Sequence, residues 1–148
     1  YAADVRSEKS IAKAVAKLTY AFANANVPKV NVITGEAYGS AYVTMNSKAL
    51  GADVTYAWPD ASIGMMDANE AAKIMYADDI AKSADVQSVI SEKAAEYAAL
   101  QSGVESAAAR GYVDTIINPE DTRKYVAAAF EMLYTKREDR PDKKHGTV

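Results

Sequence analysis

The residues whose types and spacing best suit chemistry are Gly39, Ser40 and Ala41. They follow a β-branched run, Val30-Asn-Val-Ile-Thr34, and open a stretch, Ser40 to Lys48, that can be helical. Side chains this small let a ligand approach the backbone N–H groups closely. If the stretch is a helix, those groups are first-turn donors without acceptors inside the helix, and the helix dipole favours negative charge in front of them. The chemistry of such a site is stabilisation of an anion such as an enolate. Small residues in a turn also serve close packing, and that reading stands beside the first.

Side-chain catalysis finds less support. A nucleophile elbow needs Gly-x-Ser-x-Gly, but Ser40 has Tyr38 two places before it and Tyr42 two places after. The single histidine, His145, lies in the tail, so a Ser–His pair requires that tail to fold back. One histidine and no cysteine argue against a zinc site, and no metal site is expected. The lack of cysteine also removes disulfides and thiol nucleophiles. Carboxylates are scattered, and neither a P-loop nor GxGxxG occurs. What is left is chemistry done by backbone N–H groups on a reactive cofactor.

The length of 148 residues suits one domain with a real core, and 49% hydrophobic with 25% charged residues argues against disorder. No apolar run approaches the length of a membrane span. The net charge of -3 is uneven: residues 136–145 carry +2 and the rest -5. That is a poor surface for nucleic acid, and no nucleic-acid partner is expected. The basic end reads as a solvated tail, with contact to a phosphate-bearing ligand or acidic partner as the alternative. The chain opens on Tyr1 and reads from its first residues as mid-protein.

The elements that must position the small-residue turn follow from periodicity. Ser7 can cap a helix running to about Asn24, with Ile11, Val15, Leu18 and Phe22 as its apolar stripe and Lys9, Lys13 and Lys17 beside it. Pro28 ends it. Val30–Thr34 is a strand, Gly35 and Gly39 bracket a turn, and Ser40–Lys48 is a helix. Strands follow at Val54–Trp58 and Ser62–Met65, with Trp58, Met65 and Met66 in the core; the methionines could instead line an acyl or ring-binding surface. Asp67 caps a helix to about Asp78, and Asp78-Asp79 and Asp85 look exposed. A longer helix runs from Val86 to Leu100 with Val89, Ile90, Lys93, Ala94 and Tyr97 on one side. Gly103 interrupts it, a helical turn spans Ser106 to Arg110, and Tyr112–Ile117 is a strand. Asn118-Pro119-Glu120-Asp121 then starts a helix to about Tyr134, with Val126, Ala129, Phe130 and Leu133 inward. The alternation implies an α/β layered domain over residues 1–135 and a polar tail over 136–148.

Several segments in order resemble one family. Val27-Pro28-Lys29-Val30, Gly35-Glu-Ala-Tyr-Gly-Ser-Ala-Tyr42, Met45-Asn-Ser-Lys48, Gly51-Ala-Asp53, Tyr56-Ala-Trp-Pro59 and Ile63-Gly-Met-Met66 resemble the carboxyltransferase subunits of biotin-dependent acyl-CoA carboxylases and decarboxylases. So do Ala108-Ala-Arg-Gly-Tyr-Val-Asp114, the Pro119 helix start and the stretch from Lys136 to Gly146. Ser40 with Tyr42-Val43-Thr44-Met45 is most similar to the methylmalonyl-CoA decarboxylase alpha branch. Carboxylase subunits usually carry a second Gly at the Ser40 position and an acid at Val43.

The resemblance implies a crotonase-like fold, a spiral of strand–strand–helix units. It also implies that the chain is most of a C-terminal carboxyltransferase domain, without its first strands and without the N-terminal domain. The implied cofactor is biotin on a carrier protein, and the implied substrate is an acyl-CoA such as methylmalonyl-CoA. Gly39, Ser40 and Ala41 then supply N–H groups to the enolate-like urea oxygen of biotin, and Tyr38, Tyr42, Val43 and Met66 hold the cofactor. Further implied partners are the missing N-terminal domain, other copies of the subunit and, through the carrier, a membrane-embedded decarboxylase subunit. The implied location is the cytoplasm, and the piece alone is expected to be inactive. A hydratase of the same fold, or a domain acting only in assembly, are the competing expectations.

Overall fold

Two parallel strand ladders share one buried face, and the chain climbs from one to the other twice. The computed structural model describes residues 8–143 and 146. Ser7 and His145, which carried expectations above, lie outside the described residues.

Helix α1 (Glu8–Asn24) carries the expected stripe: Ile11, Val15, Leu18 and Phe22 are half-buried while Lys13 and Lys17 are exposed. Strand β1 (Val30–Ile33) follows, then β2 (Glu36–Tyr38) and α2 (Gly39–Thr44). The second pass repeats the order with β3 (Val54–Ala57), β4 (Ser62–Gly64) and α3 (Ala68–Met75). Next come α4 (Ala77–Lys82), α5 (Val86–Tyr97) and α6 (Val104–Ala109), then β5 (Thr115–Ile116) and α7 (Thr122–Met132).

The larger ladder has the order β1-β3-β5 and the smaller pairs β2 with β4. All pairings are parallel, with Val30 opposite Val54, Ala37 opposite Ile63 and Tyr56 opposite Thr115. All four β3 residues are buried, as a central parallel strand covered on both faces must be. Its alternate side chains serve two cores. Val54 and Tyr56 join Ile117 and Ala129 beneath α7, where the Tyr56 and Tyr125 rings meet edge-on at 5.6 Å. Ala57 joins Ile33, Ala61, Ile63, Val104, Ala107 and Val113 on the other side.

Two aspartates start the strand pairings of the larger ladder. The Lys29 N–H, just before β1, donates to Asp53 Oδ2 at 2.7 Å, and the Thr55 N–H donates to Asp114 Oδ2 at 2.8 Å. Each carboxylate stands in for a strand carbonyl at the ladder's end and is neutralised by a lysine. Lys136 binds both Asp53 oxygens, at 2.9 and 3.0 Å; Lys48 pairs with Asp114 at 2.8 Å. Lys136 also pairs with Glu138, which pairs with Arg140. The start of the tail is therefore fastened to the fold, where a solvated end was expected.

Several boundaries differ from the sequence reading. The expected turn between Gly35 and Gly39 contains β2, because its partner β4 is remote in sequence and leaves no local signal. The expected helix Ser40–Lys48 stops at Thr44. Thr44 Oγ1 donates to the Ser40 carbonyl at 2.8 Å and Ser47 Oγ to the Val43 carbonyl at 2.9 Å. Asn46 then takes a left-handed conformation (φ 61°), which its short polar side chain tolerates. A single 3-10 turn, Lys48–Leu50, follows. The helix begun at Asp67, whose carboxylate accepts the Asn69 N–H at 2.9 Å, breaks at Tyr76 into α3 and α4. Helix α5 passes into a π-helical turn, Ala98–Ser102, before Gly103. The Tyr112–Ile117 strand is reduced to β5. Asn118 makes no side-chain cap, and a 3-10 turn at Pro119–Asp121 precedes α7.

Met65, expected in the core, is 75% exposed, because β4 ends at Gly64 and the chain bends away. Phe130, expected inward, is 45% exposed; one residue past buried Ala129, it is turned about 100° from it.

Candidate functional site

The small-residue turn is set by one backbone conformation. Gly39 has φ +58°, and a Cβ there would sit 3.1 Å from the Met65 carbonyl oxygen. Both facts demand glycine: the left-handed region penalises L side chains, and the carbonyl leaves no room. Tyr38, still extended, precedes the first turn of α2. Ser40 at that end is exposed and Ala41 is half-buried. The N–H groups of Ser40 and Ala41 belong to the first helical turn, which has no intrahelical acceptors for them. They can therefore donate to an anionic oxygen placed before the helix.

A cavity of about 350 Å³ lies alongside. It is lined by the continuous run Asn31–Tyr38 and by Ala41, Tyr42 and Met45 of the α2 region. That run is the outer edge of β1 and β2, which have no strand on that side among the described residues. The lining is mixed: Val32, Ile33 and Ala37 are interspersed with Asn31, Thr34 and Glu36. Tyr42 contributes the sharpest polar feature. Its ring packs against the core around Ile33 and Ile63, and its hydroxyl is buried with no hydrogen-bond partner. Burial, with Tyr112 adding to it, pushes that hydroxyl above the ordinary phenol range. The group therefore stays protonated, held on the core side of the residue.

Of the residues expected at the site, Tyr38, Ala41 and Tyr42 line the cavity. Gly39 and Ser40 stand at the adjoining helix end. Val43 and Met66 are half-buried and are not among its lining residues. The cavity also uses Asn31, Thr34, Glu36 and Met45, which the sequence reading did not single out. Asn31 and Thr34 were visible as polar residues in an otherwise apolar strand, but only the open sheet edge explains them. Among the described residues no three His, Cys, Asp or Glu side chains come together to hold a metal ion. No helix among them is long and apolar enough to cross a membrane.

Strand–strand–helix units climbing between two parallel ladders, with a glycine-led helix start beside a cavity, define the crotonase-like class. Comparison with known proteins gives the family: residues 4–148 match the carboxyl transferase domain, and the chain belongs to that family. It is 52% identical over 133 residues to a putative propionyl-CoA carboxylase beta chain of Bacillus subtilis, covering 90% of this chain and 26% of that protein. It is 45% identical over 133 residues to methylmalonyl-CoA decarboxylase subunit alpha of Propionigenium modestum, again covering 90% and 26%. The crystal structure of hexameric transcarboxylase 12S, with methylmalonyl-coenzyme A and methylmalonic acid bound, superposes with a TM-score of 0.89 at 42% identity, covering 99% of this chain and 28% of that one. The chain thus spans about a quarter of the length of the curated relatives it matches.

Proposed function

We propose that this chain forms the biotin-binding part, within the C-terminal domain, of a subunit that moves carboxylate between an acyl-CoA and carrier-bound biotin. The observation that carries the reading is Gly39. Its left-handed backbone, beneath the Met65 carbonyl, sets two small residues, Ser40 and Ala41, in the first turn of α2 beside the cavity. Family membership supplies the reaction class, and the relatives' names point to methylmalonyl-CoA or a close analogue as substrate.

The residues present suit biotin. Tyr38 and Tyr42 line the cavity that would receive its bicycle. Biotin, when bound, would supply a urea group able to carry the carboxyl on nitrogen and to take up negative charge on oxygen. Ser40 and Ala41 hold that oxygen through N–H donors that need no reorganisation during the reaction. No side-chain base is required, in line with the scattered carboxylates and the lack of a nucleophile elbow.

On this reading the acyl-CoA is held by an N-terminal domain outside this chain. The partners are a biotinyl carrier, further copies of the subunit and, in the decarboxylase branch, a membrane-embedded subunit reached through the carrier. The subunit works in the cytoplasm. The test is carbon dioxide release from methylmalonyl-CoA by a complete subunit carrying this sequence, with and without free biotin. Release that requires biotin supports the proposal and selects the decarboxylase branch. A subunit inert towards both methylmalonyl-CoA and malonyl-CoA would refute it. A separate readout is calorimetric titration of the 148-residue chain with biotin methyl ester: heat is expected for the native sequence and none for Gly39→Val.

A further inference from the structure

Helix α7 carries two aromatic side chains on a second face, turned away from its core face, among charged residues. One face is used: Tyr125, Val126, Ala129 and Leu133 pack on the core beneath it. The opposite face carries Arg123, Lys124, Ala127, Phe130, Glu131 and Tyr134, all exposed. Phe130 is 45% and Tyr134 82% exposed. A concave patch on that face is formed by Ala127, Phe130, Glu131 and Tyr134, the i, i+3, i+4, i+7 spacing by which one helix seats on another.

The order of charges and sizes along the face names its occupant. Arg123 and Phe130, Lys124 and Glu131, and Ala127 and Tyr134 are each seven residues apart and so share a side of the helix. Cations lie at the N-terminal end, a small residue at the middle, and an anion with two aromatics at the C-terminal end. Such a face is complementary to itself turned end for end. About a two-fold axis beside Ala127, Lys124 of one copy meets Glu131 of the other, and Arg123 meets the Phe130–Tyr134 pair, where a guanidinium is attracted to ring faces. Ala127 lets the two helices approach, and antiparallel helices also oppose their dipoles. Neither Arg123 nor Glu131 has an ion-pair partner within the described part of its own chain. We propose that the outer face of α7 docks on the same face of a second copy of this chain, as an antiparallel, isologous helix pair.

This specifies one contact of the self-assembly proposed above, and its test is independent of activity. Sedimentation equilibrium is measured on the 148-residue chain over a wide concentration range, with circular dichroism confirming that each variant is folded. The native chain is expected to associate reversibly to a dimer. Because every substitution occurs twice across a two-fold axis, Glu131→Lys should weaken the dimer by about tenfold or more. Lys124→Glu alone should do likewise, and the double exchange should restore most of the affinity. Ala127→Arg should abolish association outright. A native chain that stays monomeric assigns the face to some other partner and overturns the proposal. So does a dimer indifferent to Glu131→Lys and Ala127→Arg. Carbon dioxide release by the complete subunit can fail or succeed without altering either result.

Discussion

Asp53 offers the most direct test of how the tail is held. Its side chain is 19% exposed and that of Lys136 13%, so the pair is largely withdrawn from water. Asp53 accepts the Lys29 N–H at 2.7 Å and both contacts of the Lys136 ammonium. In Asp53→Asn the Lys29 N–H can keep an acceptor, while Lys136 loses the nearer of its two counter-charges and keeps only Glu138 at 3.2 Å. A hydrogen bond to a charged group contributes about 1.5–3 kcal/mol, and removing one partner of a fully buried pair costs about 3–5 kcal/mol. For this partly buried pair the expected loss is about 2–4 kcal/mol. In a domain of this size that corresponds to a fall in Tm of about 4–16 °C.

The pH dependence has a definite sign. Burial alone would raise the Asp53 carboxyl, but the Lys136 and Lys29 hydrogen bonds outweigh it and hold the group below its ordinary value. Its stabilisation is therefore full above the unfolded carboxyl pKa, near 3.8, and is lost as pH falls through the lower folded value. Lys136 is raised, chiefly by its hydrogen bond to Asp53. Its contribution is full below the unfolded value of 10.5 and is lost as pH rises through the folded one. The assay is urea unfolding of native chain, Asp53→Asn, Lys136→Met and the double variant at pH 7, repeated down to pH 3. A single-variant loss under about 1 kcal/mol, or no coupling between the two sites, would refute the reasoning.

Other substitutions give sharp expectations. Gly39→Ala forces a methyl toward the Met65 carbonyl at positive φ; a loss of about 1–2 kcal/mol is expected in urea unfolding, together with loss of biotin methyl ester binding. In the complete subunit Ser40→Gly should stay within severalfold of native turnover, because it keeps the N–H. Ser40→Trp should block biotin; equal loss in both variants would count against backbone donation, where one such donor is worth about 3–4 kcal/mol. Thr55 is fully buried with an unpaired hydroxyl, so Thr55→Val should be neutral or stabilising by up to about 1–2 kcal/mol in thermal unfolding. Trp58 Nε1 donates to Thr122 Oγ1 at 2.9 Å; Thr122→Val should cost about 1 kcal/mol and shift the tryptophan fluorescence.

Local sequence determined the long helices, because their signals are periodic and self-contained. The stripe Ile11, Val15, Leu18, Phe22 and the Asp67 cap needed no knowledge of the rest of the chain. The β-branched runs at Val30 and Val54 marked two strands, and Gly39-Ser40-Ala41 marked a place where backbone donors could be presented. Family likeness was legible in the same segments.

Tertiary structure decided what depends on remote partners. Glu36–Tyr38 is a strand only because Ser62–Gly64 lies beside it, and a three-residue ladder leaves no periodicity to read. Lys136 is a half-buried clasp only because Asp53, remote from it in sequence, comes to meet it. The cavity is lined by an uncovered sheet edge, so Asn31, Thr34 and Glu36 acquire their place from strands that pair on the other side. Glycine at position 39 was legible as small. That it must be glycine was settled by the Met65 carbonyl, which the β2–β4 pairing carries to within one methyl group of it.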